Sequence, residues 1–200
     1  MSSNFINYLK KPYSKWIAPI FFPGSKEYWE RRYVKGENSG RGSYGELAEY
    51  KAQIINEFVG EKSIKSVIEF GCGDGNQLSL AKYPQYIGYD VSPKAIDICR
   101  NKFTDHSHYQ FALLEKYAGE KADLTMSLDV IYHLVEDPIY EDHLEKLFSA
   151  STRFVIIYSI NNEDFQKSVS HIKSRKFTDW ISKNKSDWTL LKQIPNKFTY

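Results

Sequence analysis

SVIEFGCGDGNQLSLAKYPQYIGYDVS, residues 66–92, decides the fold of this chain because a turn with three glycines joins two apolar runs. The first run, 67–70, is short and nearly continuous, and the second, 86–89, leads into Asp90. Short apolar runs of this kind are typical of buried strands. Glycine permits positive φ and lets backbone N–H groups approach a ligand closely. The stretch therefore predicts a strand, a turn, a short helix and a second strand around a nucleotide-type site.

Two acids mark this predicted site. Glu69 opens the pattern E-x-G-x-G-x-G, which continues with Gly71, Gly73 and Gly75 and differs from the dinucleotide fingerprint G-x-G-x-x-G. Asp90 follows Gly71 by 19 positions, where an acid commonly accepts hydrogen bonds from ribose hydroxyls. A tight turn without a ligand is the alternative, but a chance turn seldom carries both motifs at this separation.

The glycine pattern resembles motif I of the class I S-adenosylmethionine (SAM) dependent methyltransferases. Residues 90–96, DVSPKAI, resemble motif II of the same family and the helix that follows it. The resemblance implies SAM as the cofactor and S-adenosylhomocysteine (SAH) as the product. The cofactor contacts that it implies near the two motifs and at the end of the fourth strand are Glu69, Gly71, Cys72, Gly73, Gly75, Asp90, Val91, Ser92, Leu128 and Asp129.

Length and composition fit one domain that comprises residues 1–200, with an N-terminal extension and lid (1–45) and a core (46–200). The net charge of +2, from 27 basic and 25 acidic residues, gives no sign of a nucleic-acid partner. The two cysteines have no metal-ligand spacing and do not suggest disulfides, which favours a cytoplasmic protein. The apolar run 16–22 is too short to span a membrane, and no signal peptide is evident.

Strands and helices are predicted to alternate along the core. This pattern indicates an α/β fold with a single doubly wound, Rossmann-like sheet, mostly parallel and with six to seven strands. After the two strands of the opening stretch, the apolar runs 109–114, 124–128 and 153–159 predict three more, and 188–194 predicts an amphipathic sixth. Ser92 and Pro93 are a predicted N-cap and first turn of a helix. Another helix is predicted from Asn161, with Phe165, Val169 and Ile172 on its buried side.

The segment before the core, residues 28–45, combines aromatic and arginine residues with a glycine-rich loop. It resembles the W-x-x-R-Y segment of small-molecule methyltransferases, which implies a lid whose Trp29, Arg32 and Tyr33 face the methionine end of SAM. Arg32 is then the expected partner of the SAM carboxylate, with Arg31 as a rival. The alternative is an ordinary surface connection.

The second predicted chemical focus follows the fourth strand, in DVIYHL (129–134). His133 is the candidate general base, because histidine ordinarily titrates near neutral pH, and Tyr132 is a candidate pocket residue beside it. A purely structural histidine is an equal alternative, and Asp129 is a candidate for orienting the acceptor. The acids of this region match no metal-ligand spacing, so no metal is predicted.

A basic cluster, His171, Lys173, Arg175 and Lys176, follows the fifth strand. The first three are candidates for binding an anionic group on the substrate, such as a phosphate or a carboxylate. A solvated helix face is the competing interpretation, because runs of charge usually mean only that.

The substrate class is predicted partly from a missing motif. Methyltransferases of adenine, cytosine or glutamine often carry (Asp/Asn)-Pro-Pro-Tyr after the fourth strand, where this chain has SLDV (127–130). The sequence therefore disfavours methylation of nucleobases and of glutamine. Most of the chain resembles stand-alone bacterial methyltransferases of sugar, surface-polysaccharide and secondary-metabolite pathways. The resemblance implies O-methylation of a small-molecule or glycan substrate. N-methylation of a small amine, or a SAM-binding module without turnover, are the alternatives.

Overall fold

The computed structural model of the chain describes residues 22–163, 169–196 and Phe198. Within these residues, five strands form one sheet with helices on both faces. The strands are β1 (Val67–Phe70), β2 (Tyr86–Asp90), β3 (Tyr109–Leu113), β4 (Ala122–Leu128) and β5 (Ser151–Tyr158). The helices are α1 (Ser25–Val34), α2 (Gly45–Glu61), α3 (Pro93–Lys102), α4 (Asp137–Ser149) and α5 (Phe177–Asn184).

The sheet is parallel throughout and has the strand order β3-β2-β1-β4-β5. Val67 of β1 pairs with Tyr86 of β2 on one side and with Leu124 of β4 on the other. The chain therefore builds the sheet outward in two directions, and the direction reverses between β1 and β4. In open α/β sheets, ligands bind at such a reversal, outside the carboxyl ends of the strands. The predicted α/β, Rossmann-like fold is confirmed.

Two apolar clusters pack on opposite faces of the sheet. Ile55 and Val59 of α2 and Ile96 of α3 belong to one cluster, and Leu144 and Leu147 of α4 belong to the other. A strand that is covered on both faces buries side chains of both orientations, so its sequence is apolar without alternation. This explains the apolar runs of β1 and β4. The carboxyl ends of β1, β2 and β4 lie side by side and form the carboxyl edge of the sheet.

The start of α3 follows the sequence prediction. Ser92 is the N-cap, its Oγ accepts a hydrogen bond from the amide of Ala95 at 3.0 Å, and Pro93 occupies the first turn. A serine cap satisfies an amide that the helix itself leaves without a partner. The helix therefore begins directly after Asp90 and fixes the end of β2.

The predicted strand at 188–194 is wrong, so the described residues contain five strands rather than six or seven. Trp188 packs on Phe148 of α4 at 5.2 Å between ring centroids, and the Tyr50 hydroxyl of α2 donates to the carbonyl of Pro195. Because α4 and α2 lie on opposite faces, the segment crosses from one face of the sheet to the other. A strand must bury one side of its alternating pattern, and here Leu190 and its neighbour Leu191 are exposed.

Two predicted features fall at least partly outside the described residues. They are the part of the N-terminal extension before Phe22 and the part of the predicted Asn161 helix at 164–168. Val169 and Ile172, from the end of that predicted helix, lie in irregular structure before α5. Among the described helices, none has the length and apolar character needed to cross a membrane.

Candidate active site

The glycine turn after β1 folds back onto the end of β2. The amides of Gly71 and Cys72 both donate to the carbonyl of Tyr89, at 2.7 and 3.1 Å. Gly71, Gly73 and Gly75 all have positive φ, and a Cβ at Gly71 would lie 2.4 Å from Cγ2 of Val130 in the loop after β4. A side chain at position 71 is therefore excluded by both backbone strain and space. The turn brings the ends of β1, β2 and β4 into contact.

Asp90 lies buried at the end of β2 and accepts hydrogen bonds from the turn. Its Oδ2 accepts from the amide of Gly73 and its Oδ1 from the amide of Ser92, both at 2.9 Å. Burial raises the pKa of Asp90, while the amides of Gly73, Ser92 and Val91 act in the opposite direction. Each carboxylate oxygen can accept more than one hydrogen bond, so Asp90 retains capacity for hydroxyl donors. The sequence prediction and the structure place it at the same edge.

Glu69 is buried at the same edge, and the Tyr86 hydroxyl donates to its Oε2 at 2.7 Å. Burial raises the pKa of Glu69 to about 7, although Tyr86 and Lys51 oppose the shift. The Cys72 side chain packs into the core beneath the turn, and the nearby Cys99 thiol donates to the carbonyl of Gly73 at 3.1 Å. Both cysteines are free.

Helix α1 lies across this edge and is hydrogen-bonded to it near its start and in its middle. At its start, the amide of Ser25 donates to Oε1 of Glu136 at 2.9 Å, beyond the end of β4. In its middle, Glu30 accepts a hydrogen bond from Oγ of Ser92, at the end of β2. The helix thus bridges the two halves of the sheet above the reversal in strand order.

The loop after α1 packs directly onto the glycine turn. Ser39 and Asp74 form a reciprocal pair: each backbone amide donates to the other side chain at 2.9 Å. The Tyr44 hydroxyl also donates to Asp74, at 2.8 Å. Burial alone would raise the pKa of Asp74, but hydrogen bonds from Ser39, Asn76 and Tyr44 lower it below its ordinary value. These contacts hold residues 39–44 over the turn.

The structure brings two of the three predicted lid residues to the edge. Tyr33 is buried, and its hydroxyl lies 2.9 Å from Oγ of Ser39, beside Gly73. Trp29 packs edge-on against the imidazole of His133, with 4.9 Å between ring centroids. Arg32 instead donates to the Asn38 carbonyl and pairs with Glu37, at 2.7 and 3.0 Å. Its predicted partner, the SAM carboxylate, would have to replace these contacts.

The rival residue Arg31 is placed differently. It forms an ion pair with Glu27 at 2.6 Å, one turn earlier on α1, and both side chains are more than half exposed. Arg32, by contrast, lies beside Trp29. Its guanidinium carbon is 5.7 Å from the centroid of the Trp29 ring.

His133 lies within an aromatic cluster beneath α1. Its ring centroid is 4.3 Å from that of Tyr132 and 5.5 Å from that of His171, which in turn stacks on Tyr28 at 4.5 Å. Nδ1 of His133 lies 3.0 Å from the carbonyl of His171. A carbonyl only accepts hydrogen bonds, so Nδ1 carries the proton and Nε2 keeps a lone pair. Burial lowers the pKa of His133 to about 4, against the near-neutral titration expected from the sequence.

Besides His171, the predicted anion site contains Lys173 and Arg175. These two residues bind an acid of the chain itself. Lys173 and Arg175 both pair with Asp137 at 2.7 Å, and these hydrogen bonds lower the pKa of Asp137 to about 2. Arg175 also donates to the carbonyls of Leu134 and Val135, at 2.8 and 3.0 Å. Both residues thereby stabilise the loop after β4. A substrate role for them stays a prediction that requires exchange of these contacts.

A buried ion pair beneath the loop is not predicted from the sequence. Lys51 of α2 lies 2.6 Å from Oδ2 of Asp129, directly after Leu128 at the end of β4. The Tyr132 hydroxyl donates to Oδ1 of Asp129 at 3.1 Å, and Asp129 has a φ of 59°. Left-handed backbone at a non-glycine residue is strained and concentrates at functional sites. Nothing in the helical pattern around Lys51 distinguishes it from a surface lysine.

Two other surface depressions lie away from this edge. Each has a volume of about 390 Å³, one beside Trp180 of α5 and the other beside Phe103, which follows α3. Neither is lined by the glycine turn or by the loop after β4, so the carboxyl edge is the better candidate site. The described residues contain no group of three or more acidic, histidine or cysteine side chains placed to bind a metal.

Several solved structures share the fold. One is magnesium protoporphyrin IX methyltransferase (ChlM) from Synechocystis PCC 6803 with bound SAM, at 18% identity and a TM-score of 0.59, covering 82% of this chain and 87% of that one. Another is the N-methyltransferase NodS from Bradyrhizobium japonicum WM9 in complex with SAH. It is 19% identical with a TM-score of 0.54, and the match covers 64% of this chain and 68% of that one. The methyltransferase domain of bacterial CtHen1 is 21% identical with a TM-score of 0.55, and the match covers 70% of this chain and 84% of that one.

No curated protein sequence matches the chain. A family model described as a methyltransferase domain matches residues 44–187, which is well over half of the chain. The matched range includes the glycine turn, Asp90 and the loop after β4. The chain therefore belongs to the methyltransferase domain family and is a SAM-dependent methyltransferase with a Rossmann-like fold.

Proposed function

We propose that this enzyme transfers the methyl group of SAM to a hydroxyl of a small-molecule or glycosyl acceptor bound on the β4 side of the edge. The observation that carries the proposal is the state of His133. Its Nδ1 proton is held by the carbonyl of His171, and burial lowers its pKa to about 4, which keeps the ring neutral near pH 7 but makes it a weaker base than an ordinary histidine. A neutral imidazole with a lone pair on Nε2 accepts a proton, which a hydroxyl nucleophile must lose.

The side chains at the edge fit the cofactor chemically. SAM offers ribose hydroxyls as hydrogen-bond donors, together with an ammonium and a sulfonium group that carry positive charge. Asp90 is the proposed partner of the ribose, and Glu30 and Glu69 add carboxyl groups to the same edge. Tyr33 and Ser39 place hydroxyls beside Gly73, where an added Cβ would lie 2.9 and 2.4 Å from them, so their close packing requires glycine.

The chain's part in the reaction is to orient the reactants, exclude water and accept a proton. SAM supplies a methyl group that is already activated for displacement. Helix α1 and the following loop cover the edge, and we propose that residues 1–45 act as a lid on the core, 46–200, within one domain. Alignment of donor and acceptor then supplies several kcal/mol of the barrier reduction. Tyr132 and Asp129 are proposed to orient the acceptor while His133 removes its proton.

N-methylation of a small amine is the second candidate. The observation that favours it is the aromatic cluster of Tyr28, Trp29 and Tyr132, because aromatic faces attract ammonium groups. An amine that attacks as its neutral form needs no strong base, so the two candidates differ in their need for His133.

Accumulation of SAH on incubation with SAM and an acceptor panel tests the proposal. The panel contains monosaccharides, sugar phosphates, phenols and small amines, and mass spectrometry identifies the methylated atom. O-methyl products are the expected result. N-methyl products alone would favour the second candidate. Binding of SAM without turnover on any acceptor would favour a SAM-binding module.

Asp90→Ala is expected to weaken SAM binding by about 1 to 3 kcal/mol, because charge-assisted hydrogen bonds to the ribose are lost. Calorimetric titration with SAM measures the change, and far-ultraviolet circular dichroism checks that the variant remains folded. Asp97→Ala is the matched control, because Asp97 is an exposed acid on the neighbouring helix α3. Unchanged affinity in a folded Asp90→Ala protein would refute the ribose assignment.

A further inference from the structure

The Lys51–Asp129 pair has an unusual setting at the carboxyl edge. The buried residues of the described chain include three acids, Glu69, Asp74 and Asp90, but Lys51 is the one lysine or arginine among them. Its ammonium lies 2.6 Å from Asp129 and 4.8 Å from the ring centroid of Tyr158 on β5. Burying a charge is costly unless a partner compensates it. The edge thus retains one buried cation at the strand end where the proposed reaction occurs.

The lid loop closes over this pair. A Cβ at Gly42 would lie 2.5 Å from Oδ2 of Asp129, so the loop backbone packs against the carboxylate. With Lys51 beneath it, Gly42 beside it and the Tyr132 hydroxyl on Oδ1, the carboxylate has a fixed position. The charge that Asp129 presents at this edge therefore depends on Lys51.

We propose that Lys51 sets how strongly the site distinguishes SAM from SAH, by neutralising Asp129 beside the transferring methyl group. This inference rests on the proposed function, which places methyl transfer at the end of β4. During transfer the carbon–sulfur bond breaks, its electron pair stays on sulfur, and the sulfur loses its positive charge. The carbon–oxygen bond forms, and the acceptor's proton passes to Nε2 of His133.

A lone carboxylate next to the sulfur would favour the reactant over the product. It would stabilise the positive charge before transfer and lose that interaction as the charge disappears. Interactions that are stronger in the ground state than in the transition state slow the chemical step. Lys51 cancels this preference, since its positive charge lies against the same carboxylate. The pair keeps Asp129 available to orient groups without holding SAM too tightly.

The proposal is tested by separate calorimetric titrations with SAM and with SAH. Lys51→Gln removes the charge and keeps a donor for Asp129, and it is expected to raise the ratio of the SAH to the SAM dissociation constant about tenfold. That size corresponds to one unit charge acting over about 10 Å at an effective dielectric constant near 20. Asp129→Asn should shift the ratio in the opposite direction, and Lys51→Arg, which keeps the charge, should leave it unchanged.

A merely structural role predicts a different outcome, in which both ligands lose affinity equally and the ratio stays constant. A constant ratio in folded Lys51→Gln and Asp129→Asn proteins would overturn the proposal. If Lys51→Gln fails to fold, Asp129→Asn carries the test alone. The ratio depends on binding only, so it is independent of turnover. An acceptor panel without products refutes the proposed function, whereas a constant ratio refutes the role of Lys51.

Discussion

Glu69→Gln is expected to raise the free energy of unfolding at pH 8 by up to about 3 kcal/mol relative to the wild type, and by little at pH 4. Burial raises the pKa of Glu69 from its ordinary 4.5 to about 7, and each pKa unit corresponds to about 1.4 kcal/mol. The side chain binds its proton more tightly in the folded state. Its favourable contribution is therefore complete below pH 4.5 and is lost as the pH rises through 7.

Glutamine is a suitable replacement because its amide oxygen still accepts the hydrogen bond from Tyr86. It is neutral at every pH, so the variant avoids the cost of ionising a buried acid. Urea unfolding of both proteins at pH 4, 6 and 8 measures the difference. Groups that do not interact with Glu69 contribute equally in both proteins, so their contributions cancel in the comparison.

Glu61→Gln serves as the control, since it removes the same charge from an exposed position at the end of α2. Its effect on stability should be small, because the side chain is exposed. A stability difference for Glu69→Gln that stays constant from pH 4 to 8 would contradict the assignment of a raised pKa. Residues that cost stability are expected mainly at functional sites. The cost of a buried acid at neutral pH is therefore consistent with the predicted role of Glu69 at the carboxyl edge.

Local chemistry made the centre of the fold predictable from sequence. Gly71, Gly73 and Gly75 have the positive φ that their spacing suggested, and Ser92 caps α3 with Pro93 in the first turn. In each case the decisive property belongs to the residue or to its nearest neighbours. Alternation of strands with helices predicts a parallel sheet and restricts its topology to a few choices, of which the observed strand order is one.

Features that depend on distant contacts were not predictable in the same way. The alternating pattern of residues 188–194 suits a strand, but its ends bind helices on opposite faces of the sheet. Lys51 and Asp129 are 78 positions apart, and the helix pattern alone gives Lys51 the appearance of a surface residue. Arg175 looked available to a substrate because its partner Asp137 lies 38 positions earlier.

His133 shows the same distinction within the site. The sequence indicated its place after the fourth strand, and the ordinary titration of histidine suggested a pKa near 6.5. The structure places α1 above it, and burial lowers that pKa to about 4. The covering helix is about 100 positions away in the chain, so no local pattern carried this information.

His133→Ala is expected to reduce turnover by about 100-fold or more while leaving the affinity for SAM nearly intact. General bases commonly contribute factors of this size. With a pKa of about 4, His133 is neutral throughout the physiological range, so wild-type turnover should be nearly constant from pH 5.5 to 8. A base that titrates near 6.5 would instead lose activity as the pH falls below 7. Initial rates of SAH formation across this range, with an acceptor from the panel, measure both effects.

Two further variants separate proton transfer from structure. His133→Asn keeps an N–H donor for the carbonyl of His171 but has no basic nitrogen, so it should be nearly as slow as His133→Ala. His143→Gln is the matched control, because His143 is also buried with a pKa of about 4 but bonds to Ser127 in the core. It should lose stability and keep its turnover. Normal turnover in a folded His133→Asn protein would exclude His133 as the base, and would favour an acceptor that enters the site already deprotonated, as a neutral amine does.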